Sequence, residues 1–377
     1  MKVSCLQENL SRALGSVARA VAPRSTLPVL GNVLIATEDG RLRLSATNLE
    51  LGITCWIGAK IEEPGATTVP ARTFVDLVNT LPNDKVEMDL SVRTHSLHVV
   101  CGPFTNDIKC IDAQEFPPLP PADMGGGVPL DIEDLREMIN QVAFAASGDD
   151  ARPVLTGVLA EIKDGVMTLA AADGFRLSVR SSHLTSPEAG PMRAIIPARA
   201  LNELARIIAD GQQTVSMHLP ENRSQVIFRT KDSELVSQLI DGSFPDYEGI
   251  IPKAKATRSV LPTSAFLKAC KAAEIFARES AHSARLKVAP GSELEPGSVV
   301  VSATSAETGS NETQVDATIE GDPIEIAFNV RFLMDVLNVI DTPNVALETS
   351  SAAAPGVIRP VGRDDFLHVI MPMHIGR

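Results

Sequence analysis

Apolar residues recur along this chain at two spacings, one typical of helices and the other typical of strands. Near the amino terminus, Leu6, Leu10 and Leu14 recur every fourth residue, which predicts an amphipathic helix in mature structure rather than a leader. Residues 85–90 alternate apolar and polar side chains, as half-buried strands do. Three opening helices are predicted from the helical pattern, at about 6–20, 131–146 and 262–278.

A hairpin signal occurs three times. Asp39–Gly40 and Asp164–Gly165 each stand between strand-like runs, and Pro296–Gly297 holds the corresponding place farther along. From glycine to glycine, the separations are 125 and 132 residues. Because Asp-Gly between alternating runs is a strong hairpin signal, the sequence predicts a β-hairpin at a repeated position.

A second helix signal recurs with nearly the same period. Val69-Pro-Ala-Arg72 resembles Ile196-Pro-Ala-Arg199, and Phe328-Asn-Val-Arg331 occupies the third position. The three arginines are 127 and 132 residues apart. Proline at an early helical position, followed by apolar residues at helical spacing, predicts an amphipathic helix in each repeat.

These signals together predict an α+β chain built from three modules, each with two helices and antiparallel strands. Phe116-Pro and Phe244-Pro, which are 128 residues apart, mark the ends of the first two modules. The predicted modules span residues 1–122, 129–252 and 256–377.

Composition narrows the function classes. An apolar content of 44% and a charged content of 21% are typical of a globular protein, and no apolar run approaches the roughly 18 residues of a membrane span. Five cysteines without a Cys-x-x-Cys pair predict free thiols in a reducing cytoplasm. The net charge of −13 argues against ordinary nucleic-acid binding, and one Trp and one Tyr argue against base-stacking platforms.

Five motifs stand in order along the chain: Pro23–Gly31, Val69–Arg72, Ala172–Leu177, Phe244–Tyr247 and Met371–Met373. Together they resemble the bacterial sliding clamps, the family of DNA polymerase III beta subunits, over essentially the whole chain. The resemblance implies a head-to-tail homodimer in which three modules per subunit form a six-module ring around duplex DNA. It implies a processivity factor for DNA replication and repair, not an enzyme, that needs no cofactor and no metal.

The same resemblance implies the partners, and the helix charges bear on one of them. The partners are duplex DNA bound without sequence preference, the DNA polymerase III core, the clamp loader and other proteins that carry clamp-binding motifs. The predicted helices carry both signs of charge, so charge alone favours solvated amphipathic helices. A weakly positive pore lining is nevertheless what sliding requires, because a dense basic patch would hold one position. The candidate DNA contacts are Arg24, Arg72, Arg199 and Arg206.

The resemblance also implies a peptide pocket between the second and third modules. Pro372 cannot donate a ladder hydrogen bond, so the last strand is expected to stop near Met371 and leave an adaptable apolar tail. Arg152 and Arg176 are expected to meet acidic or carbonyl groups of the peptide. Core packing is the alternative for the apolar members individually. The implied pocket residues are Arg152, Leu155, Gly174, Phe175, Arg176, Leu177, Pro245, Asn329, Phe332, Val369, Ile370, Met371, Pro372 and Met373.

For the dimer, the resemblance places partner faces on the first and third modules. The apolar candidates are Phe104 and Ile108 on a strand and Ile275 and Phe276 late in a helix, with core packing as the alternative for the helix pair. The chain departs from the family at Phe175, where relatives often carry histidine, and in the Ala/Pro/Gly-rich segment 350–363, expected to be an excursion before the last strand.

Two other function classes compete with the clamp. An enzyme with a site between modules is the first, but no phosphate-binding glycine motif occurs, and Asp173 has no evident base or nucleophile beside it. His95 and His98 with Cys101 suggest a metal site, although on a strand the two histidines would point to opposite faces. A repeat scaffold that binds proteins without encircling DNA is the second alternative.

Overall fold

The computed structural model describes residues 1–22, 27–119, 127–186, 190–208, 213–220, 224–292 and 295–374. Within these ranges the α-helices are α1 Gln7–Val17, α2 Ala71–Thr80, α3 Ile132–Val142, α4 Ala198–Ile207, α5 Thr263–Ala277 and α6 Val330–Leu337. The first strands are β1 Lys2–Leu6, β2 Asn32–Glu38, β3 Arg41–Thr47, β4 Leu51–Gly58, β5 Lys60–Glu63, β6 Ala66–Pro70, β7 Lys85–Ser91, β8 Ser96–Cys101 and β9 Phe104–Lys109.

The next strands are β10 Val128–Asp131, β11 Gly157–Lys163, β12 Val166–Ala172, β13 Arg176–His183, β14 Met192–Pro197, β15 Thr214–His218, β16 Gln225–Arg229 and β17 Ser233–Gln238. The last strands are β18 Thr257–Pro262, β19 Ser283–Ala289, β20 Ser298–Ser305, β21 Gly309–Asp316, β22 Thr318–Gly321, β23 Ile324–Asn329, β24 Asn344–Thr349, β25 Gly356–Pro360 and β26 Phe366–Ile370. The predicted α+β class is confirmed, and the strands pair antiparallel throughout the described ranges.

The chain divides into two compact units that do not coincide with the repeats. The first unit combines residues 1–133 with 199–239, and the second combines residues 134–198 with 240–377. The first unit holds a five-stranded sheet, β5-β1-β7-β8-β9, and an eight-stranded sheet, β10-β15-β16-β17-β4-β3-β2-β6. The second unit holds a nine-stranded sheet, β14-β11-β12-β13-β26-β25-β24-β18-β22, and a four-stranded sheet, β21-β20-β19-β23.

Each large sheet is shared by strands that are distant in sequence. In the first unit β17 pairs with β4, with Ser237 opposite Leu51. In the second unit β26 pairs with β13, with Ile370 opposite Arg176. The sequence pattern predicted the strands but gave no indication of these long-range pairings.

Two of the three predicted hairpins are tight turns. Asp39–Gly40 and Asp164–Gly165 join paired strands with positive φ at both residues, between 49° and 75°, as a type I′ turn requires. The third predicted hairpin also forms, with a longer connection. β19 and β20 do pair, but an eight-residue connection, 290–297, replaces a two-residue turn at Pro296–Gly297.

The helices bury one face each, as their spacing predicts. In the first unit α1 buries Leu10 and Leu14, and α2 buries Phe74. In the second unit the apolar faces of α5 and α6 join one core cluster that includes Phe266 and Leu333. Proline was expected at an early position inside the helix that follows Val69, which is α2. Pro70 instead lies just before α2, as its N-cap residue and as the last residue of β6.

The segment 350–363 is not an excursion. It contains β25, which pairs with β24 on one side and with β26 on the other, so it forms an inner strand of the nine-stranded sheet. No helix in the described part of the chain is long and apolar enough to cross a membrane.

Candidate functional site

Residues Met371–Met373 follow β26 and form a tail that is anchored by its backbone at both ends. β26 ends at Ile370, as predicted from Pro372. The Met371 N–H then donates a hydrogen bond to the Phe175 carbonyl, with a donor–acceptor distance of 2.8 Å. The Met373 N–H donates to the carbonyl of Ala327 in β23, also at 2.8 Å. The tail therefore runs from the turn before β13 to the edge of the four-stranded sheet.

The turn that receives the tail comprises residues 172–176. One oxygen of the Asp173 carboxylate accepts hydrogen bonds from the N–H groups of Phe175 and Arg176, at 2.8 and 3.0 Å. This side-chain cap folds the backbone back on itself and requires φ of +94° at Gly174. A Cβ at Gly174 would lie 3.2 Å from Nη1 of Arg152, so glycine serves both conformation and space there.

Both arginines expected to meet a peptide also have partners within the second unit. Arg152 Nη1 donates to the Asp173 carbonyl at 2.9 Å, and its Nε lies 3.2 Å from an oxygen of Asp149. Arg176 Nε contacts Asp173 at 3.0 Å, and its Nη1 contacts Asp335 of α6 at 2.6 Å. These guanidinium groups hold the walls of the site in position.

Arg176 also lies against two aromatic rings. Its guanidinium carbon is 4.4 Å from the ring centroid of Phe332 and 5.4 Å from that of Phe144. Its Nη2 donates to the Phe144 carbonyl at 2.9 Å. Cation–π contact and three polar partners fix this side chain, so Arg176 positions α6 against β13.

The predicted apolar pocket residues fall into two groups by exposure. Phe175 is 61% exposed and Met371 is 40% exposed, which leaves two large apolar side chains open to solvent on either side of one backbone hydrogen bond. The residues beneath belong to the core, so the packing alternative holds for them: Leu177, Val369 and Ile370 are each 1% exposed.

The remaining predicted members vary in role. Pro245 is exposed and Leu155 is half-buried in the connection before β11. Asn329 serves as the N-cap of α6, where its side chain accepts a hydrogen bond from the Arg331 N–H. This set provides an apolar floor, a rim of exposed apolar side chains and a rigid polar frame, an arrangement that suits an apolar peptide anchor.

No sequence signal indicates the buried polar pair that lies in the strands just before the tail. His368 is fully buried in β26, and its Nδ1 lies 2.6 Å from the hydroxyl of Ser178 on the neighbouring strand. Burial, with a smaller effect of the Arg176 charge, lowers the pKa of His368 to about 3. The imidazole is therefore neutral at neutral pH.

The candidate DNA contacts that the structure describes lie on helices of the first unit. Arg72 of α2 is the most exposed, with 96% of its side chain open to solvent and only a 3.9 Å contact to Asp76. Arg199 is exposed at the start of α4, and Arg206 lies 2.9 Å from Glu203 of the same helix. Arg24 lies outside the described residues.

The candidate interface residues divide into exposed and buried members. Phe104 at the start of β9 is 43% exposed, whereas Ile108 on the same strand is 6% exposed and packs inward. In the second unit Ile275 of α5 is 57% exposed, while Phe276 is half-buried against the core. Phe104 and Ile275 are thus the two available for contact with another chain.

The histidine pattern in the first unit has another explanation. His95 lies in the turn between β7 and β8, and His98 Nδ1 contacts Asp107 of β9 at 2.9 Å. Among the residues that the structure describes, no group of three or more metal-ligating side chains converges.

Three family models match consecutive parts of the chain. They are those of the DNA polymerase III beta subunit, with its N-terminal domain matching residues 1–120, its central domain 129–246 and its C-terminal domain 248–374.

Curated proteins and solved structures agree with these models. The chain is 32% identical to a protein named beta sliding clamp in Synechococcus elongatus and 31% identical to one in Pseudomonas putida, with the whole of each chain covered. The crystal structure of a DNA polymerase sliding clamp from Bacillus subtilis superimposes with a TM-score of 0.93 at 27% identity, over the whole of both chains. That of the DNA polymerase III subunit beta from Pseudomonas aeruginosa gives 0.90 at 29% identity, again over both chains.

Proposed function

This chain belongs to the family of bacterial sliding clamps, the DNA polymerase III beta subunits, and on that premise we propose that two copies close head to tail into a six-module ring. The protein is a DNA sliding clamp for processive replication, not an enzyme, and it shares the family's partners, namely DNA, polymerase, clamp loader and a second copy of itself.

Three modules with the limits 1–122, 129–252 and 256–377 underlie this proposal. The matched family domains at 1–120, 129–246 and 248–374 support those limits. Each module then contains two of the six α-helices that the structure describes, and two copies together supply twelve. Twelve helices spaced about 8–10 Å apart form a circle with a diameter of roughly 30–38 Å. A duplex about 20 Å wide fits inside it with a layer of water.

The observation that carries ring closure is the pair of open sheet edges. Within the chain, β17 of the second module pairs with β4 of the first, and β26 of the third pairs with β13 of the second. The corresponding strands are β9, which ends the five-stranded sheet, and β21, which ends the four-stranded sheet, and each of them pairs on one side only among the described residues.

A second copy would supply the missing partner for each edge. In this proposal β9 takes the place of β26, with Ile108 for Ile370, and β21 takes the place of β13, with Gly309 for Arg176. Ile108 of one copy then lies opposite Gly309 of the other, and Phe104 lies opposite Thr313. The exposed Phe104 and Ile275 would then be covered. Unpaired edge strands invite such addition, and pairing both edges closes the ring.

DNA contacts in the pore would be electrostatic and few. Arg72 and Arg199 are exposed near helix N-termini, where arginine has no favourable interaction with the helix dipole. Arg206 shares its charge with Glu203, so we assign it a weaker contact. Arg24 completes the proposed set. Such sparse phosphate contacts permit sliding, because each neutralised phosphate adds salt-dependent affinity.

The peptide pocket is proposed at the tail and the 172–176 turn. Phe175, Met371 and Pro372 would contact the apolar anchors of partner peptides, above the floor formed by Leu177 and Val369. We also propose a cytoplasmic location, which the five free thiols support.

Retention on DNA of defined topology tests the ring. The clamp loader loads the protein onto a nicked circular plasmid, and the complex is washed in salt. The plasmid is then linearised with a restriction enzyme. We expect retention on the circle and loss after cleavage. Loss from the circle, at a salt concentration where the dimer persists, would favour the alternative of a protein-binding scaffold that does not encircle DNA.

A pair of variants connects that result to the proposed interface. Ile275→Asp places a charge on the exposed apolar position of α5 and should abolish retention by opening the ring. Val92→Asp makes the same change at an exposed turn residue between β7 and β8 and should retain the plasmid normally. Equal retention by both variants would exclude α5 from the interface.

A further inference from the structure

A cluster of basic side chains lies on the nine-stranded sheet away from the pocket residues named above. Glu348 of β24 is only 12% exposed, and three cations converge on it. Its carboxylate lies 2.5 Å from Lys255 Nζ, 3.4 Å from Arg359 Nε and 3.7 Å from Arg258 Nε. One carboxylate cannot neutralise three cations, so this surface carries excess positive charge on a chain whose net charge is −13.

The excess persists when neighbouring groups are included. Lys253 is exposed two residues before Lys255 and adds a fourth cation. Glu320 lies directly across the strand pair from Arg258 and adds a second carboxylate. The basic cluster, defined as Lys253, Lys255, Arg258 and Arg359, therefore keeps a surplus of positive charge.

The basic cluster borders a cavity of about 140 Å³. Residues 252–255 line one side of it, and Glu348, Ser350, Val357 and Arg359 line the other. The Ser350 hydroxyl donates to the Ala254 carbonyl at 2.6 Å, which fixes the linker 252–255 against β24. The positive charge thus surrounds a concave, ordered surface.

A row of cross-strand neighbours runs from this cavity to the pocket floor, and its apolar members are buried in one cluster with Phe244 and Tyr247. Leu177 faces Val369, Val369 faces Val357, Val357 faces Glu348, and Glu348 faces Arg258. Residues directly opposite each other in antiparallel pairs share one face of the sheet. Two strand spacings separate Val369 from Glu348, roughly 10 Å, so a peptide that leaves the pocket and passes over the covering side chains needs about four to six extended residues to reach the cluster.

We propose that the basic cluster is a docking subsite for acidic residues that flank the apolar anchors of a partner peptide. The inference rests on the proposed pocket and extends it along the sheet. Charge complementarity selects carboxylate side chains, and the short distance from the pocket floor selects the same peptide as occupant. The subsite adds affinity for partners with acidic flanks and discriminates against partners with basic flanks.

The test compares labelled peptides with one apolar clamp-binding core and different flanks. Four glutamates or four glutamines are added at either end, and affinity is measured by fluorescence polarisation at low and high salt. At low salt, glutamates at one of the two ends are expected to make the peptide bind about fivefold more tightly than glutamines at the same end. The difference should largely vanish near 1 M salt, because the contacts are partly exposed.

A matched pair of variants locates the effect. Lys253→Gln with Lys255→Gln removes two exposed cations and leaves Arg258 and Arg359 beside Glu348, so the fold is retained and the fivefold gain should disappear. Lys163→Gln with Lys287→Gln removes the same charge from exposed strand positions of the same unit and should keep the gain.

Four other results would contradict the subsite, and one of them would also contradict the pocket. If the unflanked peptide binds but neither glutamate flank improves affinity, the subsite is refuted and the pocket stands. If the gain survives in the Lys253/Lys255 variant, the cluster is not its source. If a single-stranded oligonucleotide binds the cluster and glutamate flanks do not, the surface belongs to nucleic acid. If the unflanked peptide itself does not bind, the pocket and the subsite both fail.

Discussion

The 172–176 turn in the second unit has a counterpart in the first unit, residues 47–51 between β3 and β4. There the Asn48 side chain accepts hydrogen bonds from the N–H groups of Glu50 and Leu51, at 3.0 and 2.7 Å, as Asp173 does in its own turn. The Glu50 carbonyl accepts from the Gln238 N–H at 2.8 Å, the same distance at which Phe175 accepts from Met371. The two turns share one backbone arrangement.

The side chains on this shared backbone differ. Leu49, with φ of +78°, stands where the second unit has Gly174. Buried Leu51 replaces Arg176, and Gln238 replaces Met371. The turn backbone that both units share therefore supplies the frame of the site, whereas glycine, arginine and the methionine tail give the second unit an apolar rim on a polar support.

Removing the Met371–Met373 tail, which the first unit lacks, should have the largest effect on peptide binding. Truncation after Ile370 deletes both backbone anchors of the tail and its exposed Met371, so peptide affinity should fall by at least about a hundredfold. Truncation after Met373 keeps both anchors and should bind peptide normally. Fluorescence polarisation measures affinity, and gel filtration should show an intact dimer for both. Undiminished binding by the shorter protein would exclude this pocket.

Giving the second unit the leucine of its counterpart, Arg176→Leu, should destabilise it by roughly 2–4 kcal/mol. The substitution leaves Asp173, Asp335 and the Phe144 carbonyl without their shared partner. Urea unfolding measures the loss. Arg193→Leu breaks an exposed contact to Glu161 and should change stability by less than about 0.5 kcal/mol. Equal effects would mean that Arg176 does not brace the site.

Acid should destabilise the second unit through His368, which faces Ser178 where the first unit pairs Leu235 with Ile53. The folded-state pKa of about 3 lies below the unfolded value, so the unfolded chain binds the extra proton. Its contribution to stability is complete above about pH 6.5 and is lost as pH falls toward 3, by up to about 1.4 kcal/mol per unit.

Paired variants isolate that contribution from the carboxylates that titrate in the same range. Ser178→Ala with His368→Leu should unfold with a shallower pH dependence than wild type between pH 6.5 and 4. Ser178→Ala alone keeps the imidazole and should retain the wild-type slope. Identical slopes for all three proteins would show that His368 does not take part.

Gly174→Leu should weaken peptide binding by about tenfold, because a side chain at φ of +94° is strained and its Cβ lies 3.2 Å from the Arg152 guanidinium. Gly190→Leu adds the same side chain at an exposed position whose Cβ meets nothing within 4 Å, and it should bind normally. Calorimetric titration with a core peptide distinguishes the two. Normal binding by the Gly174 variant would show that this wall is adaptable.

The reciprocal change, Leu49→Gly, should have the smallest effect and the opposite sign. Leu49 is 52% exposed in a left-handed conformation, so glycine relieves strain at little cost in burial. A gain of up to about 1 kcal/mol is expected in urea unfolding of the first unit. A loss of stability would mean that Leu49 packs more than its exposure indicates.

Local chemistry made part of this site predictable. Pro372 predicted the end of β26, Asp-Gly predicted two of the turns, and helical spacing predicted the apolar faces of the helices. In each case the signal and its structural effect lie within a few residues, so no knowledge of tertiary structure is needed.

Contacts between distant residues were not predictable in this way. Arg176 reaches Asp335, 159 residues away, and no local pattern distinguishes such an arginine from one that faces a ligand. The Ser178–His368 pair depends on which strands become neighbours, and β25 was hidden in a segment rich in small residues. These features depend on strand pairing over long distances, which single-sequence patterns do not encode.

The sharing of the eight-stranded sheet has a consequence for synthesis on the ribosome. β4 ends at Gly58, but its neighbour β17 begins only at Ser233, so one edge of β4 stays uncovered while the intervening chain is made. At about 5–20 residues per second, that interval lasts roughly 10–35 s. During this time the nascent chain presents an apolar strand edge, and chaperone contact in that interval would keep neighbouring polysomal chains from pairing through it.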